Sequence, residues 1–332
     1  MPQTCVIYHP KFATHGNLVL RERLAPAYNS LIDFLKENDR DNRVVIQTPE
    51  RVKEELILQI HTTQHLARVK EDECYEAARL SAGGASLAGE MVWTKKVKNS
   101  FVFTGTAGHH ASRNSYWGFC YINNSALLIQ HLRNTYNVKR FMIIDTDPHP
   151  GDGTRNIFES DENVVHLNFF SDGYSFSDDL IKSNKFDIPL PSNISDKGFL
   201  RVLQELTPFL AEKFGPEMIL WNFGHDSHHA DYGGFNLTTS AFPEMAKIIT
   251  QAAKDSCDDN LVVLLSGGSN LWVAKQSIIS IVAVLANLPS FELNQDVVEE
   301  NPEDTRTADK IINKLLRFIT FFVLCLSFIP CI

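Results

Sequence analysis

The chain has 332 residues, 44% hydrophobic and 21% charged, the composition of an ordinary globular protein. A net charge of −9 argues against broad electrostatic attraction to nucleic acid or anionic membrane, so no direct nucleic-acid binding is expected. Six cysteines (Cys5, Cys74, Cys120, Cys257, Cys325, Cys331) form no Cys-x-x-Cys pair, the usage of a reducing compartment and not of a disulfide framework. The N-terminal MPQTCVIYHPKF lacks a basic stretch followed by an apolar one, so no secretory signal is expected; the expected location is cytoplasmic, or nuclear in a eukaryote.

Cys5–Tyr8 reads as a first short strand, and Leu18–Leu35 carries apolar residues at helical spacing. Arg43–Gln47 reads as a second strand, followed by helices over Glu50–Val69 and Glu71–Val92. The later helix is rich in small residues, and the pair Gly83-Gly84 weakens it as a single continuous element. Ser100–Phe103 is the next strand, then a long loop over Thr104–Phe119 and a helix over Ile122–Tyr136. Further short apolar strands are expected at Phe141–Ile144, Val164–Asn168, Met218–Asn222 and Leu261–Leu265, with a helix over Leu271–Ala286. Strands alternating with helices predict an α/β domain, a mostly parallel sheet with helices on both faces.

That domain is expected to span 1–290, followed by an acidic polar linker or surface segment at 291–310 and an apolar tail at 311–332. Phe318–Ile332 is continuously apolar but shorter than the roughly 20 residues of a spanning helix. A buried helix, a membrane contact and an ending unrelated to the fold are the three readings of it.

The polar residues gather on the loops after strands. FMIIDTDPHPGDGT delivers Asp145, Asp147, His149 and Asp152 to the end of one buried strand. In an open parallel sheet, ligands bind outside the carboxyl ends of the strands. Asp-x-Asp-x-His suits a divalent cation, although acids capping the next helix would read the same way. A catalytic zinc takes three protein ligands and keeps one open position. Asp147 and His149 supply two, and Asp226 in GHDSHH is the best third, with His225, His228 and His229 as rivals. A metal-activated water needs a base, and His109-His110 offers two imidazoles that Asp145 and Asp152 can hold.

These segments carry a resemblance. GHHASRNSYWGFCYINNSALL, IIDTDPHPGDGTRNIF, FGHDSHHADYGGFNLT and LLSGGSNLW are similar to the signature segments of the histone deacetylase superfamily, which includes acetylpolyamine amidohydrolases and acetoin-utilisation proteins. The resemblance runs from about Cys5 to Leu288. It implies an arginase-like three-layer α/β fold, one zinc per chain on Asp147, His149 and Asp226, and a structural monovalent cation near Asp145. It pairs His109 with Asp145 and His110 with Asp152 as catalytic dyads. Phe119 falls on the aromatic wall of an acyl-lysine tunnel, with Gly118, Gly268 and Ser269 as further substrate contacts. The implied reaction is removal of an acyl, by expectation acetyl, group from lysine side chains of a peptide or protein, or from a small acylamine.

Three departures stand out. Ser269 occupies the place of the family's transition-state tyrosine, and Tyr232, Tyr174 and Tyr116 are the candidates to replace it. Pro150 replaces a histidine beside His149, and TAGHHA and HPKFA depart from the usual rim elements. The missing phenol makes a zinc-binding acyl-lysine reader with little or no turnover the alternative to a working hydrolase. A binuclear arginase-type site is disfavoured because Gly151 stands where its last acid is needed, and no G-x-S-x-G follows any strand.

Overall fold

The computed structural model describes residues 3–174, 181–182, 184–294, 296–299 and 303–326. The chain begins with β1 (Thr4–Ile7), α1 (Leu18–Asn38) and β2 (Val44–Gln47). Three helices follow, α2 (Glu54–Ile60), α3 (Thr63–Lys70) and α4 (Tyr75–Trp93). The single helix expected over Glu50–Val69 is broken because Thr62 caps α3, its side chain accepting the His65 N–H at 3.1 Å. The expected weakness at Gly83-Gly84 does not appear, and α4 runs through both. A Cβ at Gly83 would sit 1.8 Å from the Glu50 carbonyl, and one at Gly84 would sit 3.2 Å from Ile7. The missing side chains let α4 lie close on the sheet, which outweighs the helix propensity of about 1 kcal/mol lost at each glycine.

Next come β3 (Asn99–Val102), α5 (Asn124–Tyr136), β4 (Phe141–Asp145), α6 (Asp152–Ile157) and β5 (Val164–Ser171). They are followed by β6 (Ile181–Lys182), β7 (Lys185–Leu190), α7 (Asp196–Phe214) and β8 (Met218–Phe223). The rest is α8 (Ala241–Cys257), β9 (Leu261–Leu265), α9 (Leu271–Leu285) and α10 (Asp304–Leu326). Among the described residues the strands form one sheet in the order β2-β1-β3-β9-β8-β4-β5-β7-β6. Every pairing is parallel except the edge pair β6–β7.

Successive strand residues point to opposite faces, and the core divides accordingly. Val6, Met142, Ile144, Ile219 and Trp221 pack with α1, α7, α8 and α9. Cys5, Ile7, Phe141, Ile143 and Leu220 pack with α2, α3, α5 and most of α4. The result is the expected three-layer α/β architecture.

The segment beyond 290 is tied to this body. Ala308, Ile312 and Leu315 of α10 are buried in the core on the α7 side. Asp304 accepts the backbone N–H of Ser195 at 2.8 Å and its hydroxyl at 2.5 Å. Asp304→Ala removes both bonds and leaves a buried amide unpaired, so it is expected to lower unfolding free energy by about 1–3 kcal/mol in equilibrium denaturation. An unchanged midpoint would show that α10 only rests on the domain. The apolar tail expected at 318–332 lies outside the residues whose side chains are described. Among the described residues, no helix is long and apolar enough to cross a membrane.

Candidate metal centre and active site

Register builds the site before any side chain is considered. Asp145 at the end of β4 pairs with Asn168 of β5 and Asn222 of β8, so three apolar strands turn polar at the same level. Asn222 Nδ2 donates to Asp145 Oδ2 at 3.0 Å, and the Asp147 N–H donates to Asp145 Oδ1 at 3.2 Å. The loops after β4, β8 and β9 then cross one another. Gly267, just past β9, donates its N–H to Asp147 Oδ2 at 2.8 Å. A Cβ on Gly267 would sit 2.1 Å from Asp226 Oδ2, and one on Gly224 would sit 2.4 Å from Asp226 Oδ1. Two glycines on neighbouring strand ends therefore make room for the carboxylates.

Asp147, His149 and Asp226 come together, with one potential ligand atom from each lying within 4.8 Å of the others. His149 Nδ1 is 2.9 Å from Asp147 Oδ1 and 3.2 Å from Asp226 Oδ2. The second approach is off the line of a hydrogen bond, so both oxygens of the fully buried Asp226 lack a hydrogen-bond partner. Burial and the nearby Asp147 carboxylate push the Asp226 carboxyl up to about 6. Burial opposes charge on His149, but Asp147 and Asp226 outweigh it and raise the imidazole to about 11. Two buried carboxylates crowd one imidazole here, and the oxygen and nitrogen donors fit a divalent cation that would take the place of the imidazole proton.

His109 and His110 lie beside it. His109 Nδ1 is 3.1 Å from Asp145 Oδ2, and His110 Nδ1 is 2.7 Å from Asp152 Oδ1. Burial disfavours charge on both rings. At His109, Asp147 and Asp145 outweigh burial and hold the pKa at about 9, while burial and the neighbouring His109 hold His110 at about 4. Trp117 stacks on His110 with ring centroids 3.6 Å apart and donates its Nε1–H to Asp152 at 2.9 Å. Gly118 and Phe119 follow it with φ of +56° and +63°. A Cβ at Gly118 would sit 2.5 Å from the His110 ring, so only glycine fits there.

These groups line a cavity of about 230 Å³. His109, His110, Asp147, His149 and Asp226 contribute polar atoms, and Trp117, Phe119, Tyr174 and Tyr232 contribute aromatic surface. Ser269, expected as a substrate contact, is not among its lining residues. Its Oγ and N–H both donate to Asp231, at 3.0 Å to the nearer oxygen in each case. Gly268 is not a lining residue either, but its N–H donates at 3.1 Å to the hydroxyl of Tyr232, which is. Pro150 is buried and accepts the Asp152 N–H at 2.8 Å, so the turn into α6 is intact. The Asp145 carboxylate, near which a monovalent cation was expected, already faces the donors of Asn222, Asp147 and His109.

The rival histidines have other partners. Arg23 Nη1 lies 2.6 Å from His225 Nε2. His228, His229 and Asp296 form a second cluster with ligand-like spacing. However, His228 Nδ1 accepts the Ala230 N–H at 3.0 Å, which places the ring proton on Nε2, 2.7 Å from Asp296. A protonated nitrogen cannot bind a metal. This cluster fastens Asp296 to the loop after β8, where Asp296 also accepts the Thr239 hydroxyl. A larger groove of about 730 Å³, bordered by Arg113, Arg133 and Asp161, holds none of the candidate ligands.

Sequence reasoning missed Arg23. It is fully buried and donates to the carbonyls of Gly267, at 2.6 Å, and Ser266. A signal existed, because Arg23 falls in the buried stripe Leu20, Leu24, Ala27, Leu31 of α1, where a charge needs a reason. Trp117 carried no comparable signal, since only the fold stacks it on His110.

Residues 22–285 match the histone deacetylase domain. The chain is 27% identical over 328 residues to a probable deacetylase of Archaeoglobus fulgidus, covering 90% of this chain and 89% of that one. It is 26% identical over 306 residues to the polyamine deacetylase HDAC10 of Danio rerio, covering 87% of this chain and 44% of that one. Histone deacetylase HDA1 of Saccharomyces cerevisiae is 26% identical over 314 residues, and there too the match spans 44% of the relative's length. The structure of the HDA15 HD domain superposes with a TM-score of 0.82 at 21% identity, covering 98% of each chain, and shares the fold. The chain belongs to the histone deacetylase family.

Proposed function

We propose that the chain is a zinc-dependent amide hydrolase that removes an acyl, by expectation acetyl, group from lysine side chains or a small acylamine. The observation that carries this reading is Asp226, fully buried, with neither carboxylate oxygen hydrogen-bonded, beside Asp147 and the Nδ1 of His149. A buried carboxylate without a hydrogen bond is costly, and a bound cation offsets that cost. Asp147, His149 and Asp226 would hold one zinc. When bound, it would polarise the acyl carbonyl and lower the pKa of a water in its open position towards about 7.

The chain's own residues handle the proton. Asp152 holds the proton of His110 on Nδ1 and leaves Nε2 as the basic atom, and this ring is neutral at pH 7. Water oxygen bonds to the carbonyl carbon, the carbonyl π pair moves to oxygen, and one water proton passes to His110. Collapse re-forms the carbonyl and breaks the C–N bond, and His110 returns the proton to the departing amine. His109, beside Asp145, places positive charge near the anionic adduct. The aromatic lining fits an aliphatic chain leading to the amide.

A second reading, an acyl-lysine reader with the same metal and no turnover, is favoured by the Ser269 hydroxyl, which is bound to Asp231 and turned from the cavity. Metal analysis of purified protein, with turnover on acetyl-lysine peptides and acetylated polyamines in parallel, separates the two. One zinc per chain with hydrolysis is the expected result. Zinc without turnover on either class supports the reader, and protein that takes up no zinc overturns both.

A further inference from the structure

Addition of water to an amide puts negative charge on the carbonyl oxygen, and a preorganised donor aimed at that oxygen stabilises the transition state. Losing one such donor costs on the order of 10²–10³ in kcat. Ser269 is not that donor, because its hydroxyl is committed to Asp231. Of the three nearby tyrosines, Tyr116 packs against His65 and Tyr121 and does not line the cavity. Tyr174 and Tyr232 do line it.

We propose that Tyr232 is the oxyanion donor of this site, an assignment that rests on the amide-hydrolase reading. Its hydroxyl oxygen accepts the Gly268 N–H at 3.1 Å, which uses a lone pair and leaves the hydroxyl proton to be given. Gly268 follows directly on Gly267, whose own N–H reaches Asp147 Oδ2. The atom that anchors the hydroxyl is therefore one residue from an atom touching the candidate metal ligands. The Tyr232 ring is 43% exposed and its centroid lies 5.5 Å from that of His149, so the ring spans from solvent inward to the site.

The anchor is built for this position. Gly268 has a φ of +112°, and a Cβ there would sit 2.4 Å from the His225 ring, so glycine alone allows this backbone. Arg23 grips the two preceding carbonyls, of Ser266 and Gly267. Asp231, next to Tyr232, accepts N–H bonds from Ser269 at 3.0 Å and Asn270 at 2.9 Å, as well as the Ser269 hydroxyl. Ser269 thus acts as a positioning residue for the loop that carries the phenol. In the addition step the Tyr232 O–H donates a hydrogen bond to the forming oxyanion and keeps its proton. On collapse that bond weakens as the carbonyl re-forms.

The test is Tyr232→Phe in the zinc-loaded full chain, with wild type alongside. The change removes one hydroxyl from a half-exposed ring, and a thermal melt checks that the fold is kept. Zinc content, kcat and KM on an acetyl-lysine peptide are read. Calorimetry then measures binding of an alkyl trifluoromethyl ketone, which hydrates to a tetrahedral diol, and of the plain methyl ketone of the same length. The variant should hold one zinc and lose about 10²–10³ in kcat with KM changed by less than about threefold. It should bind the trifluoromethyl ketone at least about tenfold more weakly, with the methyl ketone unchanged. A zinc-loaded variant within about twofold of wild type in ketone affinity overturns the assignment, as does a wild type that does not bind the trifluoromethyl ketone. If wild type shows no turnover but Tyr232→Phe still loses ketone affinity, the hydrolase reading fails and Tyr232 is left as a donor to a bound tetrahedral ligand, not to a reaction's oxyanion.

Discussion

Asp226→Asn is expected to abolish tight zinc binding and hydrolysis together while stabilising the metal-free chain. The opposite signs follow from one cause. Burial and the Asp147 carboxylate raise the Asp226 carboxyl to about 6, above its ordinary value. The folded, metal-free state therefore holds that proton more tightly than the unfolded state does. The contribution of this carboxyl to stability is greatest below the ordinary carboxyl pKa and is lost as pH rises through about 6. Asparagine carries no charge and lacks that fall, so at pH 7 the variant should unfold at higher denaturant than chelated wild type. With zinc the order reverses. At 100 times its dissociation constant a ligand adds about 2.7 kcal/mol, which the variant cannot gain without the second of its two carboxylate ligands. Denaturation curves of both proteins, with zinc and with a chelator, give all four values. A variant that gains as much from zinc as wild type would remove Asp226 from the ligand set.

Arg23→Leu should have the largest effect of any change outside the cavity. Three acceptors lose their donor at once: the carbonyls of Gly267 and Ser266, and His225 Nε2. All sit where water does not reach, since Arg23 is fully buried. Hydrogen bonds to a charged group are worth about 1.5–3 kcal/mol each, so a loss of about 3 kcal/mol or more is expected in equilibrium denaturation. The change should also reach the metal, because the Gly267 N–H that binds Asp147 Oδ2 belongs to the clamped segment. Loss of such a supporting contact weakens metal affinity by about 10–100-fold. Arg23→Lys should not restore it, because one ammonium cannot reproduce the planar fork that serves two carbonyls and a ring nitrogen. Wild-type stability and zinc affinity in Arg23→Leu would show that Ser266–Gly268 hold their shape unaided.

The parts of this molecule legible in its sequence are those set by local pattern. Phe141–Ile144, Met218–Asn222 and Leu261–Leu265 announce buried parallel strands because both of their faces are apolar. Asp145, Asp147, His149 and Asp226 draw attention because polar residues interrupt such runs at their carboxyl ends. The amphipathic α7 and α8, and strand β7 next to the sheet edge, are not legible in this way. Pro208 inside α7 and Pro243 in the first turn of α8 blur the helical signal, and β7 is interrupted by Pro189.

What only the tertiary structure decided is how side chains distant in the sequence divide their work. Composition alone could not separate Asp226 from His225, His228 and His229 as the third ligand. Arg23, 202 positions away, occupies His225, the Ala230 N–H fixes the His228 proton, and His229 Nε2 lies 2.9 Å from Asp296, so all three candidate rivals have other partners. Tyr232, Tyr174 and Tyr116 were equal candidates as strings of letters. Crossing of the loops after β8 and β9 gives one of them a backbone anchor and turns Ser269 onto Asp231. Strand pattern is a local property with a period of two, whereas the partner of a buried polar atom is set by whichever loop the packed sheet brings to it.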